Sequence, residues 1–123
     1  MIKITIQGIS EQEFIEILGV DMLPTMGAKV DLPCGVKVVN ATSNSQKFSE
    51  SSVFNFLVST ISDVGIGLLG AYIYDALKAR TEKIKIKVND ESVKNEETSI
   101  KEALLRGMAN DHIEQLKEDE THE

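Results

Sequence analysis

The sequence predicts an α+β fold, because two segments alternate as half-buried strands do and a third spaces its apolar residues as a helix does. Ile2, Ile4 and Ile6 alternate with polar residues, and residues 83–89 repeat this alternation with lysine on the polar side. Between these segments, residues 50–80 contain no proline and place apolar side chains three and four positions apart. We therefore expect a sheet that includes both strands and packs against a long helix.

A short helix and a hairpin are predicted between the first strand and the long helix. Ser10 and Glu13 have the spacing of a capping box, which starts a helix that ends at Gly19. Residues 30–32 and 36–38 alternate on either side of a Pro-Cys-Gly turn, as the two strands of a hairpin do. The element order is thus strand, helix, strand, strand, followed by the long helix and the lysine-bearing strand.

This βαββαβ order is that of a ferredoxin-like sandwich with an antiparallel sheet, here with a long Gly-rich helix. At a rise of 1.5 Å per residue, an unbroken helix over residues 50–80 is roughly 45 Å long. A second capping box at Ser99 and Glu102 predicts an appended C-terminal helix. We expect a single α+β domain over residues 1–90, a linker and amphipathic helix over residues 91–118, and an acidic disordered tail over residues 119–123.

The net charge of -7 is unevenly placed along the 123 residues. Residues 1–89 carry equal numbers of basic and acidic residues, so the whole acidic excess lies in residues 90–123. We expect this part to repel nucleic-acid phosphates and either to stay solvated or to contact a basic surface of a partner protein. The acids predicted for that contact are Asp111, Glu114, Glu118, Asp119 and Glu120.

Residue types that build catalytic and metal sites are scarce. The chain has one cysteine, Cys34, two histidines near its C-terminus and no tryptophan. A disulfide within the chain, a nucleophilic triad and a base-stacking platform therefore lack their parts, and we expect no enzymatic activity, no cofactor and no bound metal. The first residues lack the apolar run of a secretory signal, so we expect a cytoplasmic protein.

The uncharged stretch between Asp63 and Asp75 gives the long helix a second apolar face. Such a face packs within its own domain or contacts a partner protein or a second copy of the chain, and small residues in it let another backbone approach closely. A membrane span needs about 20 apolar residues, more than this stretch has. The residues predicted for the contact are Ile66, Gly67, Gly70, Ile73 and Leu77.

Lysine side chains are expected to share the open face of the sheet, because the first and last strands are neighbours in the ferredoxin-like order. This face consists of Lys3, Lys83, Lys85 and Lys87. Like charges side by side destabilise a sheet, and an anionic ligand, a nucleic-acid backbone or the acidic C-terminal segment relieves that repulsion. The outward strand positions hold no aromatic residue, which argues against RNA binding. The alternative is that the lysines protect an edge strand from aggregation.

The central part of the sequence resembles a bacterial protein family. A Gly- and Ala-rich apolar helix at Val64 to Leu77, a basic exit at Lys78 to Arg80 and an alternating strand over residues 83–88 follow a strand-helix start. Over residues 1–90 this layout is similar to that of the effector-associated constant component proteins, which are encoded beside variable effector modules in bacterial conflict systems. The resemblance implies a non-catalytic adaptor, with no active-site residues to carry over.

The leading hypothesis is therefore a non-enzymatic protein–protein interaction module, an adaptor or inhibitor in bacterial or phage conflict systems. One alternative is a phage-encoded inhibitor whose acidic C-terminal segment blocks a nucleic-acid-binding protein. Another is a small anion- or nucleotide-binding protein of ferredoxin-like fold that uses the lysine face. Under the leading hypothesis we expect a protein partner or self-association, and neither direct nucleic-acid binding nor membrane association.

Overall fold

A computed structural model describes residues 2–42, 53–58, 63–78 and 84–121, with the side chains of the last helix described as far as residue 110. Within these ranges the chain forms six strands and three helices. In chain order they are β1 Ile2–Gln7, α1 Glu11–Leu18, β2 Lys29–Asp31, β3 Lys37–Asn40, β4 Val53–Val58, α2 Asp63–Leu77, β5 Lys85–Val88, β6 Glu91–Val93 and α3 Glu97–Thr121.

The six strands of the described chain form one antiparallel sheet. Its order is β2-β3-β4-β1-β5-β6, so β1 lies between β4 and β5. Sheet and helices together make a mixed α+β fold, as expected from the sequence. The strands predicted at either end of the domain, β1 and β5, are neighbours, with Thr5 opposite Lys87.

One face of the sheet is covered by the helices and forms the core. The even-numbered residues of β1 and β4 point to that face, and Ile4, Ile6 and Phe56 are completely buried there. Phe14 of α1 stacks on Phe54 of β4, with ring centroids 4.6 Å apart. The odd-numbered residues of β1, β4 and β5 lie on the opposite face, which we call the open face.

The helices α2 and α3 pack side by side and run antiparallel. Asn95, just before α3, donates from Nδ2 to the Leu77 carbonyl at the end of α2, at 3.4 Å. Two turns earlier in α2, Gly70 faces Lys101 of α3, and a Cβ on that glycine would lie 2.6 Å from Lys101 Cγ. The aliphatic stem of Lys101 therefore occupies the space that a side chain at Gly70 would need.

Local predictions near the N-terminus are confirmed. The Ser10 hydroxyl accepts from the Glu13 amide and the Glu13 carboxylate accepts from the Ser10 amide, both at 3.1 Å, so α1 begins at the predicted capping box. Gly19 ends the helix in the left-handed conformation with a φ of 71°, which glycine adopts without steric cost. The strands β2 and β3 form the predicted hairpin, with Val30 opposite Val38.

The prediction of one continuous helix over residues 50–80 is wrong in its first part. Val53–Val58 is the strand β4, which pairs with β1 on one side and β3 on the other, and the helical part is α2. Phe54 and Phe56 alternate along β4 and are buried, whereas helical spacing placed Leu57 inward. A run of aromatic and β-branched residues is a strand signal, and here it coincides with a spacing of three and four.

The segment that follows β5 is not a linker. Asn89 and Asp90 have positive φ angles of 51° and 68°, the two left-handed positions of a type I′ turn, and they join β5 to β6 in a two-residue hairpin. The sheet therefore continues past residue 90, where the predicted domain ended. Short polar side chains tolerate left-handed backbone, so the Asn-Asp pair was a readable turn signal.

The last helix also differs from expectation at both ends. It begins at Glu97 rather than at the predicted capping box, and the Ile100 amide donates to the Glu96 carbonyl at 3.0 Å across its first turn. Its backbone then runs to Thr121, so residues 119–121 of the predicted disordered tail belong to α3. Ile100 and Leu104, both completely buried, anchor the first half of the helix in the core.

Gly67 allows a test of the packing around α2. Nothing lies within 4 Å of the position that a Cβ would take there. We expect Gly67→Ala to raise the free energy of unfolding by about 0.5–1 kcal/mol, through the higher helix propensity of alanine. Gly70→Leu is the contrast, because it displaces the Lys101 stem, and is expected to lower that free energy by about 1–3 kcal/mol. Urea unfolding measures both changes. A Gly67→Ala protein that is less stable than the wild type would contradict the finding that space is open beside Gly67.

Candidate binding cleft on the open sheet face

The open face carries lysines beside the β5–β6 hairpin. Lys85 and Lys87 lie on it because their neighbours in the strand fill the core. The register places Lys87 between Thr5 of β1 and Ser92 of β6, and Lys85 opposite Gln7. Charged and polar side chains from three strands therefore share one surface.

These side chains line a shallow cleft of about 560 Å³, which we call the lysine cleft. Its polar and charged walls consist of Gln7, Lys85, Lys87, Ser92, Lys94, Asn95 and Glu96. Ile84, Ile86 and Val93 also border it, but Ile86 is buried in the core and the other two pack against the core. The cleft thus brings three lysines together on its polar walls, which suits an anionic ligand.

The three lysines of the cleft form no ion pair within the described part of the chain. No carboxylate oxygen there lies within 4.0 Å of the ammonium group of Lys85, Lys87 or Lys94, whereas Lys3, Lys78 and Lys101 each form an ion pair. Lys29 and Lys37, at the other end of the sheet, form no ion pair with a described residue either. Glu96, an acid on the cleft wall, accepts a hydrogen bond from Ser99 Oγ at 3.4 Å. Neighbouring like charges destabilise a sheet, so an anion bound in the cleft would relieve a repulsion that the fold leaves in place.

Lys3 does not contribute free charge to this surface. Its Nζ lies 2.8 Å from Asp90 Oδ1, and its backbone amide donates to Asn89 Oδ1 at 2.9 Å. The hydrogen bond from Lys3 and its positive charge lower the pKa of Asp90, and the charge of Lys87 adds to this effect. Asp90 is therefore ionised at neutral pH, and its carboxylate in the hairpin turn offsets the positive charge of Lys3.

The predicted lysine face is thus only partly the surface that the structure assembles. It brings Lys85 and Lys87 together on the cleft, while Lys83 lies outside the described residues. Sequence reasoning missed Lys94, because the residues after 90 were assigned to a linker. A hairpin at the Asn-Asp turn, with the strand alternation continued through it, would have placed Lys94 beside Lys85.

The position of β5 bears on the alternative that the lysines protect an edge strand. β5 pairs with β1 on one side and β6 on the other, and the edges of the sheet are β2 and β6. A strand with two neighbours has no free row of backbone groups to protect. Edge protection therefore does not account for Lys85 and Lys87.

The predicted contact residues of α2 mostly pack inside the domain. The core takes up the three large ones, Ile66, Ile73 and Leu77, and Gly70 packs against α3. The second apolar face of this helix is therefore explained by its own sheet and by α3 rather than by a partner. Gly67 alone among these five residues has open space beside it.

Next to Gly67, α2 exposes a narrow apolar strip. Val64 is 73% exposed and Leu68 is 52% exposed. About two to three turns further along the chain, Asp75 and Lys78 form an ion pair at 3.2 Å. Single exposed apolar residues are ordinary on protein surfaces, so two side chains do not define a contact.

The predicted acidic contact segment belongs to the far half of α3. The backbone there is helical, and the side chains of these acids lie outside the described ones. Residues 111, 114 and 118 follow one another at intervals of three and four, which places their Cα positions on one side of the helix. The residues concerned are Asp111, Glu114, Glu118, Asp119 and Glu120.

Groups suited to covalent or metal chemistry are few in the described residues. Cys34 is half-buried in the turn between β2 and β3. Burial raises the pKa of Tyr72, and the charge of Cys34 adds to the rise. No three His, Cys, Asp or Glu side chains in the described ranges are placed to hold a metal ion.

No described helix combines the length and the apolar character that crossing a membrane requires.

Comparison with protein-family models, with curated proteins and with solved structures finds no match for this chain. The resemblance to the effector-associated constant component family therefore stays a prediction. What the protein does has to be inferred from the lysine cleft and the surfaces around it.

Proposed function

We propose that the protein is a non-enzymatic protein–protein interaction module that binds an acidic segment of its partner in the lysine cleft. The observation that carries this proposal is that Lys85, Lys87 and Lys94 line one cleft and form no ion pair within the described part of the chain. A carboxylate in the cleft offsets the repulsion among the three ammonium groups. It also accepts charge-assisted hydrogen bonds from those that it reaches.

An acidic polypeptide suits the cleft better than a nucleic acid or a nucleotide. The described walls of the cleft hold no aromatic residue on which a base stacks and no arginine whose planar fork grips a phosphate. Separate ammonium groups match the separate carboxylates of an acidic polypeptide.

We also propose that β3, β4, β1 and β5 form a ferredoxin-like core. Support comes from their order in the sheet and from two connections that each skip one strand. One connection passes through α1 on its way from β1 to the hairpin that ends in β3, and the other passes through α2 from β4 to β5. The edge strands β2 and β6 are then additions on either side of this core.

The biological setting of the module follows from the family resemblance alone. The resemblance implies a non-catalytic adaptor in a bacterial conflict system, and we extend this role to an adaptor or inhibitor in bacterial or phage conflict. Such a role needs a specific protein contact and no catalytic group, and the lysine cleft is a candidate for that contact.

The proposal is tested with a short labelled peptide of alternating glutamate and valine, whose binding is followed by fluorescence anisotropy. The double variant Lys85→Glu/Lys87→Glu is expected to bind about 30-fold more weakly, at about 1 kcal/mol for each reversed charge. Binding to the wild type is also expected to weaken as salt is added.

The matched control is Lys29→Glu/Lys37→Glu, which changes the net charge equally at exposed positions of β2 and β3, at the other end of the sheet. We expect this control to keep the wild-type affinity within about twofold, because charges beyond a Debye length are screened. Equal losses in both double variants, or no peptide binding by the wild type, would overturn the proposal. Binding of inorganic triphosphate without binding of the peptide would assign the cleft to small anions instead.

A further inference from the structure

The strand β6 leaves one side of its backbone without a neighbour. It pairs with β5 only, and no further strand of the described chain joins it. α3 approaches β6 from the covered face, where Arg106 Nε lies 3.9 Å from Glu91 Oε2. Ser92 in the middle of β6 is exposed, so no described residue covers the free edge of β6 next to the lysine cleft.

The hairpin turn decides which backbone groups of β6 face that edge. In a two-residue type I′ hairpin, the residues that flank the turn exchange both backbone hydrogen bonds, and here these are Val88 and Glu91. The next pair, Lys87 and Ser92, is then a non-hydrogen-bonded pair of the ladder. The amide and the carbonyl of Ser92 consequently point away from β5, towards the free edge.

The free edge is short and has a defined end. β6 has three residues, and the Lys94 carbonyl just after it already accepts from the Glu96 amide at 2.8 Å. What remains is an edge centred on Ser92. An edge of this length pairs with a short extended segment rather than with another long strand.

The side chains beside this edge match a peptide in which acidic and apolar residues alternate. Lys87 lies opposite Ser92 on the open face, and Lys94 lies on the same cleft wall. Alternate residues of an added strand would project beside these two ammonium groups. The residues between them would project to the covered face beside Val93, which packs against the core.

We propose that the acidic segment of the partner binds as an added β-strand on β6, hydrogen-bonded to the Ser92 backbone, with alternate acidic side chains on the lysine cleft. Such strand addition derives affinity from backbone hydrogen bonds and specificity from alternate side chains. This binding mode rests on the proposed function, because it takes the lysine cleft as the binding site. It adds a requirement for backbone pairing that charge attraction alone does not have.

The experiment compares Ser92→Pro with Ser92→Ala in binding the labelled alternating peptide. Proline removes the outward amide, which makes no bond to β5, and proline is tolerated at such edge positions, whereas alanine keeps the amide. We expect Ser92→Pro to weaken binding about three- to tenfold, the effect of one lost hydrogen bond, and Ser92→Ala to bind as the wild type does. Circular dichroism and thermal unfolding establish that both variants are folded.

A second measurement leaves the protein unchanged. A peptide of the same composition, with its glutamates and valines in two separate blocks, has the same charge but cannot alternate across a strand. We expect the wild type to bind it several-fold more weakly than the alternating peptide. Equal affinity for the two peptides, or a folded Ser92→Pro protein with wild-type affinity, would overturn strand addition.

The two proposals fail in different ways. If Lys85→Glu/Lys87→Glu abolishes binding while Ser92→Pro and the block peptide change nothing, strand addition is wrong and the lysine cleft remains the binding site. If the wild type binds neither peptide, both proposals are wrong.

Discussion

Replacing Phe56 with alanine is expected to lower the free energy of unfolding by about 3–5 kcal/mol, because a large cavity opens in a closely packed core. The Phe56 side chain is completely buried. Its ring centroid lies 6.4 Å from that of Phe14, and its backbone neighbours are Ile4 in β1 and Asn40 in β3. With strands on both sides, the site has little freedom to collapse around the missing ring. Urea unfolding followed by circular dichroism measures the change.

The control for this prediction is Leu57→Ala, one residue further along β4. Leu57 is half-buried on the open face, and its truncation is expected to cost about 1 kcal/mol, the value of the apolar area that it covers there. A helix over this segment would turn Leu57 inward instead. A Leu57→Ala protein that is less stable than Phe56→Ala would therefore contradict the strand β4.

Asn40→Ala is expected to lower the free energy of unfolding by about 2–6 kcal/mol, since two backbone groups lose their hydrogen-bond partner at about 1–3 kcal/mol each. The Asn40 side chain has no exposed surface. Its Nδ2 donates to the Pro24 carbonyl at 2.7 Å, and its Oδ1 accepts from the Thr42 amide at 3.1 Å. Asn40 therefore ties the loop before β2 to the end of β3.

The matched control is Asn110→Ala, which removes an exposed asparagine from α3. We expect its stability to stay within about 0.5 kcal/mol of the wild type, as for most surface substitutions. Thermal unfolding of the two variants side by side gives the comparison. If Asn40→Ala and Asn110→Ala unfold at the same temperature, the hydrogen bonds of Asn40 do not hold the loop.

The elements that sequence reasoning predicted correctly are those whose signals are local. The capping box of Ser10 and Glu13 depends on residues three positions apart, and Gly19 ends α1 through its own backbone conformation. The alternation of β1 follows from its own side chains, each of which faces either the core or the open face. These features need no knowledge of what lies across the sheet.

The strand β4 could not be assigned in this way, because its residues satisfy two periods at once. Phe54 and Leu57 suit a helix, whereas Phe54, Phe56 and Val58 suit a strand. The choice depends on β1 and β3, which are distant in sequence and pair with β4 on either side. Packing against such neighbours is what strand propensity largely measures.

Only part of the lysine cleft could be predicted from the sequence. Outward positions for Lys85 and Lys87 follow from the alternation of β5. The two-residue turn brings Asp90 to Lys3, and the pairing of β6 places Lys94 on the same wall as Lys85 and Lys87. Because the predicted domain ended at residue 90, the sequence analysis predicted neither the Lys3–Asp90 ion pair nor the position of Lys94.

Short-range spacing along the chain was enough to establish the α+β class, the first strand and helix, and the side of β5 that carries lysine. Three-dimensional pairing alone decided that β4 is a strand, that β5 is interior, and that the apolar residues of α2 fill its own core. The physical reason is that burial and backbone pairing depend on partners far away in sequence, whereas caps, turns and alternation depend on residues only a few positions apart.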